Sequence, residues 1–403
     1  MQFDRLKVVI FIAGILLINA LYAQGLTEQV QLTNCLIAHL PLDFKYKTLS
    51  ENTTFKIIDV PSENLNELAL LAAKGKGGRF INVSRYFLHD ISLADKRHTA
   101  QQLLLNKTQK TLVARKRLNP FVYKIKHRTT VKAALTKVDV GNVIQTLTHL
   151  TGYYNRSATS QNGLKVAEWL KEQFEAMAAK YGRKDTATYF VETGWYSQPS
   201  VVTVIGKDLR APAVVIGAHM DTLDGHMPGA DDDGSGAASI MEIANILLAE
   251  QLTLKRPIYF IWYAAEERGL IGSQYVVENF VSKSILVSGV LQFDMTGYRK
   301  NASDSTMWVY KDNTDPSLSK FVTDLIKTYI KVPVGSSICG YGCSDHASWY
   351  EEAIPAAFAF ETKFADHNPE IHSSADLIDA LSVEHLLNFT KLGVAFAIEL
   401  ATT

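Results

Sequence analysis

Apolar residues fall along most of this chain in short continuous runs, and most of the runs are followed by a stretch of helical periodicity. The run Ala213 to Ala218 precedes a helical stretch over Gly236 to Glu250, and Pro257 to Ala264 precedes one over Ser273 to Phe280. Val287 to Phe293 and Met307 to Tyr310 follow, ahead of a helix over Leu318 to Ile330. Ala356 to Glu361 then precedes a last helix over Val383 to Ala401. Two more helices, Val140 to Tyr154 and Leu164 to Ala179, lie upstream. Strands that are apolar throughout are buried on both faces. From about Thr130 the chain is therefore expected to be α/β, with a mostly parallel central sheet flanked by helices on both faces. In such a sheet, functional side chains gather just beyond the carboxyl ends of the strands.

The first 129 residues read differently. Arg5 and Lys7 precede the apolar run Val8 to Leu17, which continues through Ala20 to Ala23 before the polar Gln24. This is the pattern of an export signal over residues 1–23, cleaved after Ala23, which implies secretion. The run is long for a signal core and short for a span, so an uncleaved anchor is the alternative. Gln24 to about Arg128 holds strand-like pieces (Phe55 to Val60, Arg79 to Val83) and a helix-like run over Leu65 to Ala73. It lacks any cluster of His and carboxylates. No acidic residue occurs from Lys96 to Val138, and Arg115, Lys116, Arg117, Lys124, Lys126 and Arg128 form an easy target for a trypsin-like protease. Residues 24–129 are read as a pro-segment trimmed from a zymogen by a processing protease, with a permanent accessory domain as the alternative. Residues 130–403 form the main domain.

Composition narrows the picture a little. Apolar residues make up 47% of the chain, which argues against disorder. Lys plus Arg and Asp plus Glu number 41 each, so net charge points to neither nucleic acid nor an anionic membrane. No later stretch is long and apolar enough to span a bilayer, and nothing demands more than a monomer. In an oxidising compartment Cys339 and Cys343 can pair, leaving Cys35 unpaired; two free thiols are the alternative.

Chemistry enters at the strand ends. His219 and Asp221 follow the first apolar run, and Asp231, Asp232 and Asp233 sit in the loop before the next helix. Glu266 and Glu267 follow the second run, Asp294 follows Phe293, and a loop after Glu361 delivers His372. One such group is ordinary loop chemistry, but five segments converging on one sheet edge point to metal. Imidazole and carboxylate suit zinc, and there are more donors than one ion needs. Two metals sharing a carboxylate can clamp a carbonyl oxygen and activate water together. Of the adjacent glutamates, one can ligate while its neighbour takes a proton. Asp221 is placed to orient the His219 ring.

The stretches GAHMDT, PGADDDGSG, YAAEERGLIGSQ, LQFDMTGY, CGYGCSDHASW and NPEIHSSAD resemble the co-catalytic zinc exopeptidases, and within them the secreted bacterial leucyl aminopeptidases. The resemblance runs from about Lys137 to the C-terminus. It implies two zinc ions per subunit, one held by His219 and Asp294, the other by Glu267 and His372, with Asp232 bridging. Glu266 would be the general base, taking a proton from the attacking water and passing it to the leaving amine. The peptide bond between Asp232 and Asp233 would be cis, Cys339 and Cys343 would be bonded, and Tyr341 would hydrogen-bond the developing oxyanion. Met295, Phe358, Phe360, Phe364 and Ile371, with Tyr341 and the cysteine pair, would line an apolar pocket for Leu or another large first side chain. His367 and Phe358 replace the tyrosine and methionine usual there, which leaves the exact preference open. The expected substrates are peptides with a free N-terminus. A glutaminyl cyclase, or a binding module without metal, are the alternatives on the same scaffold. No Gly-x-Ser-x-Gly elbow supports a serine hydrolase.

Overall fold

A computed structural model describes residues 26–74, 78, 80–88, 91–117 and 121–402. The expected signal, residues 1–23, lies outside them. The first unit is a four-stranded sheet of β1 (Thr27–Thr33), β2 (Lys47–Glu51), β3 (Phe55–Pro61) and β4 (Ile81–Asn82), in the order β2-β3-β1-β4 with antiparallel pairs. Helix Leu65–Lys74 packs on one face, burying Leu65, Leu68 and Ala69 with Val30, Leu32, Ile58 and Val60. Helix Leu93–Arg117 closes the other side, where Ala100 and Leu104 meet Leu49 and Ile57.

The larger unit is built on eight strands: β5 (Thr186–Val191), β6 (Ser200–Ile205), β7 (Ala213–His219), β8 (Ile258–Tyr263), β9 (Val287–Phe293), β10 (Met307–Tyr310), β11 (Val334–Ser337) and β12 (Ala356–Phe360). Their order is β11-β10-β12-β9-β7-β8-β6-β5. The centre is parallel: β12 with β9, β9 with β7, and β7 with β8. Antiparallel pairing begins at β6 on one side and between β12 and β10 on the other. The sheet is thus mixed and mostly parallel at its core, as the apolar runs imply.

Strand geometry sends alternate side chains to opposite faces. From β7 and β8, Val214, Ile216, Ala218, Ile258, Phe260 and Trp262 enter a core shared with helices Gln161–Lys180, Gly236–Glu250 and Val383–Ala401. Val215, Tyr259, Ile261 and Tyr263 face the other way, against Val276 and Phe280 of helix Ile271–Ser282 and against Trp349. Both faces are covered, and because the central strands run parallel their carboxyl ends open at one edge.

The packing boundary between the units lies ahead of residue 121. Tyr123 donates its hydroxyl to the Ser288 carbonyl at 2.8 Å and stacks on Phe321. The N–H groups of Lys126 and His127 donate to the buried Glu399 carboxylate at 2.7 and 3.0 Å. Residues 121–127 therefore belong by packing to the larger unit, although they fall within the expected pro-segment.

Candidate active site

The three central parallel strands deliver the donors. His219 is the last residue of β7, Asp294 follows β9, and Glu266 and Glu267 follow β8. Asp232 comes from a kinked turn, Ala230–Ser235, with a cis bond between Asp232 and Asp233. His372 comes from the loop beyond β12. Three non-glycine residues here adopt left-handed backbone: Ala265 (φ 53), Met295 (φ 61) and His372 (φ 58). Such conformations persist where surrounding contacts over-determine them, and they cluster at functional sites.

Two donor sets form. His219, Asp232 and Asp294 offer ligand atoms within 4.8 Å of one another, as do Asp232, Glu267 and His372. Asp232 belongs to both and divides its oxygens between them. His219 Nε2 lies 2.9 Å from its Oδ1, and His372 Nε2 lies 2.9 Å from its Oδ2. His372 Nε2 is also 2.8 Å from Glu267 Oε1, and His219 Nε2 is 3.8 Å from Asp294 Oδ1. A carboxylate with one oxygen in each nitrogen–oxygen set fits a bridge between two zinc-like ions. Electrostatics agree. Burial by itself lowers the His372 imidazole, but Glu267 and Asp232 outweigh it and push the group up to about 10. His219 is likewise raised, against its burial, by Asp221 and Asp232. The cluster carries a surplus of negative charge that cations held there would neutralise.

The remaining acidic residues hold the frame. Asp221 is fully buried, and its carboxylate accepts the N–H of Glu266 at 3.0 Å and of Glu267 at 3.1 Å. Its main-chain carbonyl lies 3.1 Å from His219 Nδ1 and its Oδ1 lies 3.5 Å from the same nitrogen, so Asp221 faces the ring with backbone and side chain while also fixing the glutamate pair. Asp233 accepts from the N–H of His219, Gly236 and Met295 at 3.1, 2.9 and 3.1 Å, tying two strand ends to a helix start. Asp231 accepts from Asn368 Nδ2 at 3.1 Å. The Asp376 carboxylate receives the N–H of Asp231 and Asp232 at 2.9 and 3.1 Å.

Arg156 was not singled out in the sequence. It is fully buried, donating to the carbonyls of Met220 and Gly229 at 2.8 Å each and to that of Pro228. It thereby pins both ends of the loop between His219 and Asp232. Burial lowers this guanidinium from its usual range, and Asp376 and Asp233 oppose the effect. Its sequence signal was absent because a lone arginine far from any donor motif looks like surface.

The expected pocket residues converge. Met295, Phe358, Phe360 and Cys343 form one buried cluster with Tyr310, and Cys339, Tyr341, Phe364 and Ile371 pack against it. Cys339 and Cys343 are bonded, and Cys35 is free and exposed. Tyr310 and Trp308 are additions that sequence reasoning missed, since both sit inside a strand read only as core. His367 places its ring 5.5 Å from that of Phe364, at the pocket's edge.

The small unit sits over this site. Ala69 and Phe80 line the same narrow gap as Glu266, Glu267 and Gly342. Leu223, in the loop after β7, is buried in the small unit's core, and Asn66 Oδ1 accepts the Asp224 N–H at 2.9 Å. Glu28 accepts from Tyr196 Oη at 2.9 Å and from Asn82 Nδ2 at 2.6 Å.

Residues 200–397 match the family model for Peptidase family M28. Leucine aminopeptidase 1 of Coccidioides posadasii is 35% identical over 297 residues, covering 70% of this chain and 76% of that protein. The chain belongs to peptidase family M28. Among solved structures, the LapA aminopeptidase of Legionella pneumophila is 56% identical with a TM-score of 0.88, over 94% of this chain and 100% of that one. LapB from the same organism is 42% identical with a TM-score of 0.84 over the same shares. A glutaminyl cyclase of Bacteroides thetaiotaomicron, 17% identical with a TM-score of 0.54, shares the M28 fold alone over 64% of this chain and 98% of that one. The chain is an M28 aminopeptidase.

Proposed function

We propose that this chain is the precursor of a secreted di-zinc aminopeptidase that removes large apolar residues, Leu foremost, from the N-termini of peptides. The observation that carries the reading is the pair of donor sets sharing Asp232, with Glu266 beside them. His219 and Asp294 would hold one zinc and Glu267 and His372 the other. When bound, the metals supply Lewis-acid polarisation of the scissile carbonyl. Glu266, its backbone fixed by Asp221, takes the proton of the attacking water and returns it to the leaving amine. Tyr341 stands at the pocket to donate to the carbonyl oxygen as charge develops. Met295, Phe358, Phe360, Phe364 and Ile371 give the first side chain an apolar seat. A binding module would have lost a donor or the base, and this chain retains all six. Ala69 and Phe80 of the small unit line the gap beside Glu266 and Glu267, which supports the pro-segment expected over residues 24–129, while the export signal over residues 1–23 rests on the charged and apolar pattern from Arg5 to Ala23.

The test uses the full chain before and after protease cutting in the basic 115–120 stretch, with leucine p-nitroanilide as substrate. Activity should appear on cutting, vanish with chelator and return with zinc. A cut, zinc-loaded protein that leaves this substrate untouched but cyclises an N-terminal glutamine would overturn the reading.

A further inference from the structure

Gly78 and, from Phe80, the chain to Arg85 lie across the mouth of the site in one direction. Gly78 lies against Tyr341, where a Cβ would stand 3.0 Å from the ring. Phe80 lines the gap beside Glu266 and Glu267. Two residues on, Asn82 donates its N–H to the Gly269 carbonyl at 3.0 Å, and its own carbonyl accepts from Gln274 Nε2 at 3.0 Å. Arg85 then pairs with Glu278 at 3.2 Å. The chain leaves the metal donors in the N-to-C sense. A peptide whose amino terminus is held at those donors leaves in the same sense.

The surface under Asn82 is shaped for a main chain. Gly269 has φ 95, and a Cβ there would come within 2.5 Å of Asn82 N and 3.0 Å of Phe80 Cε2, so any other residue would push the strand away. Gln274 is almost fully buried, and its amide also donates to the Gly269 carbonyl at 3.2 Å, which holds it in position. One residue's N–H and C=O meet one acceptor and one donor. That pattern reads backbone and ignores side-chain identity, as in strand addition to a sheet edge. From Phe80 to Asn82 is about 7 Å of extended chain, beyond the reach of a dipeptide or an aryl amide.

We propose that the Gly269 carbonyl and the Gln274 carboxamide form a peptide-strand subsite for substrate residues beyond the scissile bond, which Asn82 fills in the uncut chain. This rests on the reading that the small unit is removed. The ligand class is an extended peptide of four or more residues, with little sequence demand at that position.

The test uses full chain cut after folding, loaded with zinc and separated from the small unit. Leucine-headed hexapeptides are compared in which each amide beyond the scissile bond is replaced in turn by an ester, removing the N–H without adding bulk. One position, two or three residues past the scissile bond, should lower kcat/KM about five- to tenfold, as for one lost hydrogen bond; the others should change little. Gln274→Met should lower kcat/KM for the hexapeptide more than for leucine p-nitroanilide. A flat ester profile, or a Gln274→Met variant that slows both substrates equally, overturns the subsite and leaves the aminopeptidase reading intact. Zinc-loaded cut enzyme without activity on leucine p-nitroanilide overturns both.

Discussion

Replacing Asp221 by alanine tests how the two glutamates are held. Its carboxylate accepts the N–H of Glu266 at 3.0 Å and of Glu267 at 3.1 Å, in a place closed to water. Hydrogen bonds to a charged acceptor are worth about 1.5–3 kcal/mol each, so the turn carrying both glutamates loses about 3–6 kcal/mol of restraint. That turn begins at Ala265 with φ 53, a conformation that relaxes once it is no longer over-determined. Asp221→Ala is therefore expected to bind zinc about 10–100-fold more weakly and to lose kcat even when saturated with metal. Asp221→Asn keeps one acceptor oxygen and should fall between alanine and wild type. The assay is zinc titration against a competing chelator, with kcat measured at saturating metal and the melting temperature followed in parallel. An alanine variant with wild-type zinc affinity, kcat and melting temperature would refute the argument that Asp221 sets the glutamate pair.

Glu266→Gln should keep zinc, by metal analysis, while kcat falls about 100- to 10,000-fold; near wild-type turnover would remove Glu266 from the base role. Leu223→Ala should cost the contact between units about 2–3 kcal/mol and raise the basal activity of uncut chain, read on leucine p-nitroanilide; unchanged latency would show that the small unit is held elsewhere. His385 is buried with its Nε2 3.0 Å from the Glu361 carbonyl, and burial lowers it to about 4. Its ordinary value is about 6.5, so below that pH the unfolded chain takes a proton that the folded chain refuses until about pH 4, and stability falls as pH drops through this window. His385→Gln should abolish about 2 kcal/mol of the stability lost between pH 7 and pH 5, measured by urea unfolding; an identical pH slope in the variant would contradict it.

The central strands and the metal donors were legible because burial on both faces demands unbroken apolar runs, and donors must follow their ends. β5 and β6 were passed over although Val201, Val202 and Val204 fill the core, because no helix follows them to mark a repeat. β1 was hidden for a different reason. Its residues Glu28, Gln29 and Gln31 are buried beside Val30 and Leu32: Glu28 continues the face of Val30 and Leu32 but is held by Tyr196, and on the opposite face Gln29 bonds Asp59. The helix Leu93–Arg117 escaped because its polar and basic residues show no apolar stripe. Within the Asp231, Asp232 and Asp233 run, spacing alone could not tell the residue shared by both donor sets from its supports. That distinction depends on contacts from elsewhere: the Asp233 carboxylate accepts the N–H groups of His219 and Met295 at the ends of β7 and β9, while the Asp231 N–H donates to the Asp376 carboxylate.

The docked stretch from Tyr123 to His127 has a consequence for the mature chain's own survival. A cut in the basic segment, as proposed above, would create a new free amino terminus, which is itself the kind of end an aminopeptidase consumes. Neighbouring molecules can nibble that end only while its backbone is loose. Once trimming reaches the ring wedged on Phe321 and the two N–H groups held by Glu399, the terminus can no longer be drawn into another molecule's cleft. On the proposed maturation, this clasp would set where self-digestion stops, so the N-terminus of the working enzyme would be defined by its own packing as much as by the protease that first cuts it.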